Sequence, residues 1–189
     1  MKERIDHEIS PGGDFLFIGR EQELNALRRL YNSDKFEFAV IYGRRRVGKT
    51  ALISEFTKDK DTIFFTGVET NAKQNLENFS RCIMEYSTGI PADFSFASFQ
   101  AALEYVFELA RTKRMVLVID EYPYVARASK SLASTLQMLI DKNKDTSRLL
   151  LILCGSSMSY MEYQVMAQKA PLYGWRTALF TIQPSDSFE

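Results

Sequence analysis

Histidine and cysteine are scarce in this sequence. One histidine, His7, and two cysteines, Cys82 and Cys154, occur in 189 residues. Because a structural zinc site needs about four such ligands, this composition excludes one. Two scattered cysteines agree with a reducing compartment rather than with a disulfide framework. Cys154 ends an apolar run and is predicted to be a buried thiol.

The sequence also lacks net charge and any long apolar run. Its 24 lysines and arginines balance 24 aspartates and glutamates, which gives no support to a large nucleic-acid footprint. The apolar run at residues 149–154 is far too short to cross a bilayer, and the charged N-terminus has no apolar core of a signal peptide. With 46% hydrophobic and 25% charged residues, the composition is typical of a globular domain. We therefore predict a cytoplasmic protein with no membrane partner.

Strand-like and helix-like segments alternate along the chain. A Pro-Gly-Gly cluster at residues 11–13 ends a predicted tail over residues 1–13, and a core domain is predicted over 14–189. Runs of β-prone apolar residues predict strands, and apolar residues at helical spacing predict helices between them. This alternation is typical of an α/β fold with a mainly parallel sheet flanked by helices. The predicted strands are residues 36–42, 62–66, 115–119, 149–154 and 177–182, and the predicted helices are residues 21–31, 49–56, 72–86, 99–113, 131–141 and 158–167.

The first of these strands runs directly into the pattern Gly-x-x-x-x-Gly-Lys-Thr, the complete phosphate-loop motif. Gly43 and Gly48 let the backbone turn tightly and bring its N–H groups close to an anion at a helix N-terminus. Lys49 then reaches the β- and γ-phosphates of a nucleotide, and the Thr50 hydroxyl ligates Mg²⁺. The alternative is a glycine-containing turn with exposed basic residues. The nucleotide-binding residues predicted from this motif are Gly43, Arg44, Arg45, Arg46, Val47, Gly48, Lys49, Thr50 and Ala51.

Three consecutive arginines, Arg44 to Arg46, lie inside the loop. One interpretation is a solvated basic turn that attracts nucleotide electrostatically. The other is a patch for nucleic acid or for an acidic partner. The first interpretation is favoured, and the zero net charge does not support a nucleic-acid partner.

Two carboxylates end the strand predicted at residues 115–119. Asp120 can hold Mg²⁺ through water, and Glu121 can accept a proton from an attacking water as a general base. A pair of surface carboxylates at a strand end is the alternative. A polar residue after the next strand would lie near the γ-phosphate if that strand runs between the other two. Ser156 is the first choice for this role and Ser157 the second, with a plain helix N-cap as the alternative for either.

The sequence also bears on which base the nucleotide carries. A guanine-reading loop would have Asn-Lys-x-Asp after a strand. Residues 143–146 read Asn-Lys-Asp-Thr instead and follow a predicted helix. ATP is therefore the predicted nucleotide, with Mg²⁺ as its cofactor.

Five motifs occur in an order that resembles a known family. They are residues 17–24 (Phe-Ile-Gly-Arg-Glu-Gln-Glu-Leu), 42–50, 118–121, 151–157 and 171–174 (Pro-Leu-Tyr-Gly). Over about residues 14–183, the chain resembles the archaeal-type ATPases of the AAA+/STAND branch of P-loop NTPases. The resemblance implies a three-layer P-loop NTPase sandwich whose five-stranded sheet has the order 5-1-4-3-2.

The resemblance also implies roles for individual residues. The segment that includes Ile18 and Arg20 would lie beside the adenine, and a sensor-type polar residue would lie near Ser156. An arginine that follows residues 171–174 touches a γ-phosphate in the family, often in a neighbouring subunit. Here Trp175 takes the place of that arginine, so Arg176 is the candidate. The alternative for Arg176 is a surface arginine that opens the last strand.

Members of the family continue into a helical lid and usually a further C-terminal domain, whereas this sequence stops at Glu189. We therefore expect an isolated core with weak nucleotide binding and slow or absent turnover. The predicted function is that of a Mg-dependent ATPase module that couples its nucleotide state to a partner, to another copy of itself or to a C-terminal effector domain. A nucleotide-dependent defence or signalling switch with little turnover is the alternative, followed by a small-molecule kinase.

Overall fold

A computed structural model describes residues 20–90 and 93–184 of the chain. The predicted tail over residues 1–13 lies outside the described residues, and so does Ile18. Five strands form one sheet in the order β2-β3-β4-β1-β5, and all neighbouring strands are parallel. The predicted order 5-1-4-3-2 is confirmed. The strands are β1 (Glu37–Tyr42), β2 (Thr62–Thr66), β3 (Met115–Asp120), β4 (Leu149–Gly155) and β5 (Ala178–Thr181).

The three central strands are buried along their whole length. Such strands consist almost entirely of apolar residues because helices cover both faces of a parallel sheet. The register places Tyr42 beside Gly155 and Thr66 beside Asp120. The residues that follow β1, β3 and β4 therefore meet at the carboxyl edge of the sheet, where ligands bind in open α/β sheets.

The helices divide between the two faces of the sheet. Helices α1 and α2 pack with one apolar cluster, and α3 to α6 pack with the other. Asn71 and Ser98 cap the starts of α3 and α4 by accepting a backbone N–H bond, and Gly89 ends α3 in a left-handed conformation. The helices are α1 (Glu21–Asn32), α2 (Lys49–Thr57), α3 (Ala72–Thr88), α4 (Phe99–Thr112), α5 (Tyr122–Ala128) and α6 (Leu132–Asn143).

Two segments differ from the sequence-based expectation. Helix α5 was not predicted, because its seven residues are too few for a periodic pattern to emerge. The helix predicted over residues 158–167 is a short α-helical turn, α7 (Met158–Tyr160), that continues as a π-helical turn, Met161–Val165. Both Met161 and Val165 are buried in this wider turn. Over the described ranges, no helix combines the length and apolarity that a membrane span requires.

One arginine ties together the amino edge of the sheet. Arg114, at the start of β3, is only 8% exposed. Its guanidinium donates to the carbonyl oxygens of Tyr31 at 2.8 Å and Leu30 at 2.6 Å, at the end of α1. It also donates to the carbonyls of Lys35 and of Arg148, the latter at 2.8 Å. Arg114 thus joins α1 to the entrances of three strands.

We expect the substitution Arg114→Met to lower the free energy of unfolding by about 2–4 kcal/mol, since it leaves buried carbonyls without their donor. Chemical denaturation measures this loss. Arg111→Met is the matched control, because that side chain is exposed and, in the described part of the chain, pairs with Glu108 alone; it should cost less than about 0.5 kcal/mol. Equal losses in the two variants would contradict the bracing role of Arg114.

Candidate functional site

The phosphate loop connects β1 to α2 at the carboxyl edge of the sheet. Two of its residues have left-handed backbone conformations, Arg46 with φ 64° and Gly48 with φ 89°. Such turns gather N–H groups into a concave surface that suits an anion. Gly48 is also the N-cap of α2, so the positive end of that helix faces the same concavity.

The loop begins in close contact with another part of the backbone. A Cβ at Gly43 would overlap the carbonyl oxygen of Ile182, which follows β5. Only glycine fits this position, so the first glycine of the motif serves packing as well as turning. The contact fixes where the loop leaves β1.

Lys49 brings a buried positive charge to the site. The residue is only 5% exposed, and its Nζ donates to the carbonyl oxygens of Gly43 at 2.9 Å and Arg44 at 2.8 Å. The ammonium group therefore folds back over the loop that precedes it. It borders a cavity of about 400 Å³. The residues that line this cavity are Arg45, Arg46, Gly48, Lys49, Thr50, Ala51, Glu121 and Ser156.

The predicted metal ligands meet in the structure. The Thr50 hydroxyl donates to Oδ2 of Asp120 at 2.8 Å, and the backbone N–H of Glu121 donates to Oδ1 at 2.9 Å. Adjacent ligand oxygens around an octahedral Mg²⁺ are about 3 Å apart, since each Mg–O bond measures about 2.1 Å. The Thr50 hydroxyl oxygen and Oδ2 of Asp120 therefore have the spacing and the chemistry that fit this ion.

A thiol lies beneath the same carboxylate. Cys154 is fully buried at the end of β4. Burial raises the pKa of the Cys154 thiol, and the neighbouring Asp120 carboxylate raises it further. The thiol is therefore protonated at neutral pH, in keeping with its predicted role as a buried small residue.

The Glu121 carboxylate has different hydrogen-bond partners from that of Asp120. The Glu121 backbone has φ 50°, in the left-handed region, and this residue forms the N-cap of α5. Its carboxylate accepts a hydrogen bond from the Ser156 hydroxyl and another from the Ser156 backbone N–H at 3.3 Å. The two residues predicted to act near the γ-phosphate are thus in direct contact with each other.

A second cavity of about 280 Å³ adjoins the first and shares Arg45, Glu121 and Ser156 with it. Sequence reasoning missed two of its polar residues, Tyr124 and Arg127, because α5 was not predicted. The available signal was a proline directly after Tyr122, since proline favours the first turn of a helix.

Both missed residues contact predicted site residues. The Tyr124 hydroxyl accepts a hydrogen bond from Arg45. The Arg127 guanidinium donates to the Ser157 hydroxyl at 3.0 Å and lies 5.0 Å from the centre of the Tyr160 ring. Helix α5 thereby connects the phosphate loop to the segment after β4.

Arg20 lies behind the loop. Its side chain is 11% exposed, and it forms an ion pair of 3.3 Å with Glu23. Its Nη2 donates to the carbonyl oxygen of Val47 at 3.3 Å and to that of Gln183. Its predicted place beside an adenine stays a prediction, because Ile18, which was expected to share that place, lies outside the described residues.

The structure does not bring Arg176 to the loop of the same chain. Thr177 pairs with Phe38 at the amino end of β1, whereas the phosphate loop follows Tyr42 at the carboxyl end. The four residue steps from Phe38 to Tyr42 span about 13 Å, and Arg176 lies beside the Tyr173 ring instead, at 5.7 Å. Its contact with the γ-phosphate of a neighbouring subunit stays a prediction.

Comparison with known sequences matches this chain to an ATPase family. The family described as an ATPase domain predominantly from Archaea matches residues 17–186. An uncharacterized protein of Methanocaldococcus jannaschii is 34% identical over 169 residues, which are 89% of this chain and 36% of that protein. An uncharacterized ATP-binding protein of the same organism is 46% identical over 48 residues, which are 25% of this chain and 81% of that protein.

Solved structures share the fold at low sequence identity. The Walker-type ATPase of Pyrococcus abyssi superposes with a TM-score of 0.67 at 18% identity, over 95% of this chain and 58% of that one. The ORC2 protein of Aeropyrum pernix, solved in ADPNP–ADP complexes, has a TM-score of 0.63 at 18% identity, over 94% of this chain and 50% of that one. This chain therefore covers between about a third and three fifths of the 34% identical relative and of the two solved structures. With the family match extending over nearly its whole length, the chain belongs to the P-loop ATPase domains found predominantly in Archaea.

Proposed function

We propose that this domain binds ATP with Mg²⁺ and hydrolyses it to ADP and phosphate. The hydrogen bond between Thr50 and Asp120 carries the proposal, because it joins the phosphate loop to the acidic end of β3. This arrangement is typical of P-loop NTPases, in which a loop hydroxyl and a strand-end aspartate hold the metal.

The loop supplies the binding energy for the triphosphate. Its N–H groups and the N-terminus of α2 attract the negatively charged phosphates, and Lys49 adds a full positive charge close by. Lys49 exchanges its bonds to the carbonyls of Gly43 and Arg44 for bonds to phosphate oxygens, in which both the donor and the acceptor are charged.

Thr50 and Asp120 would hold the metal, Asp120 directly or through water. A bound Mg²⁺ neutralises charge that develops on the β- and γ-phosphate oxygens. Asp120 is suited to this role because it is nearly buried and oriented by two hydrogen bonds.

Glu121 is the proposed general base. Its carboxylate borders the cavity in front of the loop, where it accepts the proton of a water that attacks the γ-phosphorus. The bond from that phosphorus to the bridging oxygen breaks, and ADP leaves with the electron pair. Ser156 holds the carboxylate before this step and orients it.

The nucleotide state would act on the rest of the protein or on a partner. The Methanocaldococcus jannaschii protein that is 34% identical to this chain is far longer, and this chain covers 36% of it. A protein of that length has room for further domains. Arg44, Arg45 and Arg46 are exposed, so an acidic partner or nucleic acid stays a prediction for this basic turn. Self-association, in which Arg176 would contact the γ-phosphate bound to a neighbouring subunit, stays a prediction as well.

We expect Lys49→Ala to weaken Mg-ATP binding by about 10- to 100-fold, because it removes a charge-assisted bond to phosphate. Isothermal titration calorimetry of the full-length protein measures this change. Lys58→Ala is the control, since Lys58 lies one residue beyond α2 and is 64% exposed. The same dissociation constant for the Lys49 variant and the wild type would contradict phosphate binding by the loop.

We expect Glu121→Gln to lower the rate of phosphate release by about 10²- to 10⁴-fold, because glutamine cannot accept the proton from water. Its affinity for Mg-ATP should stay within about threefold of the wild type, since the loop is unchanged. Glu108→Gln, at an exposed position on α4, is the control. A Glu121 variant that turns over at the wild-type rate would show that another group is the base.

A switch with little turnover is the second candidate. The observation that favours it is the pair of hydrogen bonds from Ser156 to the Glu121 carboxylate, which occupy the base. On this hypothesis we expect Ser156→Ala to raise phosphate release about fivefold, because it frees Glu121 at the cost of one hydrogen bond. A decrease would instead indicate that Ser156 assists hydrolysis, by orienting Glu121 or by contacting the γ-phosphate.

A further inference from the structure

The backbone that leaves β5 lies against the start of the phosphate loop. The Ile182 N–H donates to the carbonyl oxygen of Tyr42, the last residue of β1, at 2.7 Å. The Ile182 carbonyl then occupies the space that a side chain at Gly43 would need. Any displacement of this segment therefore changes the contacts of the residue with which the loop begins.

The next residue along, Gln183, is connected to the far end of the loop through Arg20. One nitrogen, Nη2 of Arg20, donates to the carbonyl oxygens of both Val47 and Gln183. Glu23 holds the other terminal nitrogen, Nη1, at 3.3 Å. The arginine thus bridges two segments that are far apart in the sequence, and its side chain is nearly buried while it does so.

The bond to Val47 also orients an amide of the loop. In a trans peptide unit, the carbonyl of one residue and the N–H of the next point in opposite directions. With the Val47 carbonyl directed at Arg20, the Gly48 N–H points away from it. Gly48 lines the cavity in front of the loop and Arg20 does not, so this N–H is directed to the side where the phosphates would bind.

We propose that Arg20 is a positioning residue that holds the phosphate loop in its anion-binding shape and couples that shape to the segment that follows β5. This inference rests on the proposed binding of ATP and adds a route for its regulation. Movement that draws Gln183 away from Arg20 loosens the Val47 carbonyl and weakens phosphate binding. By linkage, phosphate binding opposes the same movement to the same extent.

A direct contact between Arg20 and the adenine is the competing explanation, and a ligand without a base separates the two. We would titrate Mg-ATP and Mg-tripolyphosphate into the full-length wild type and into Arg20→Gln. Positioning of the loop predicts that both affinities fall by the same factor, about tenfold. A loss for Mg-ATP alone, or no loss for either ligand, would overturn the proposal.

The matched control is Arg28→Gln, on helix α1, which begins directly after Arg20. Arg28 is exposed, and within residues 20–90 and 93–184 its side chain bonds to Asn25 alone. Its affinities should equal those of the wild type. Glu23→Gln is a milder second variant that loosens Arg20 without removing it, and it should weaken both ligands about two- to threefold. It keeps the test decisive if Arg20→Gln does not fold.

Amide hydrogen exchange tests the coupling without any ligand. We expect Arg20→Gln to speed exchange at least about fivefold over both residues 47–49 and residues 182–183, while β3 stays unchanged. Faster exchange in only one of the two segments would overturn the coupling. A wild type that binds neither ligand would refute the proposed function, whereas the exchange result would still decide whether Arg20 joins the two segments.

Discussion

The hydrogen bond between the Thr50 hydroxyl and Asp120 is the interaction on which the site depends. Strands β1 and β3 do not touch, because β4 runs between them, and two strand spacings amount to about 9.6 Å. The gap closes because α2, which begins directly after the phosphate loop, carries Thr50 over the end of β4. Parallel strands with β4 in the middle therefore place a hydroxyl and a carboxylate in contact at 2.8 Å, although 69 residues separate them in the sequence.

Much of the scaffold follows from local sequence patterns. Strand β2 has the predicted bounds, and β3 and β4 each extend one residue further than predicted. Continuous apolar runs indicate buried parallel strands without knowledge of tertiary contacts. The phosphate-loop motif similarly specifies its own geometry, because the Gly48 backbone adopts a conformation that favours glycine. Local signals of this kind are sufficient for the scaffold and for the loop itself.

The features of the site that the sequence does not predict depend on tertiary contacts. The left-handed backbone at Glu121 sends its carboxylate to Ser156, and no local rule assigns that conformation to a glutamate. Arg20 meets Gln183 across 163 positions of sequence, and Arg176 lies at the amino edge because of the register of β5 with β1. These contacts decide which of the predicted polar residues can act together. A sequence motif therefore identifies the residues of the site better than it predicts which of them contact each other.

The backbone of Glu121 has an energetic consequence. A non-glycine residue held in the left-handed region costs about 1–3 kcal/mol, and glycine or asparagine would bear the conformation at less expense. Neither of those residues has a carboxylate. The fold therefore accepts a less stable polypeptide at position 121 in order to keep an acidic group at the mouth of the loop. The packing of α5, in which Tyr122 and Val125 are fully buried, stabilises the protein and offsets the free-energy cost of this backbone conformation.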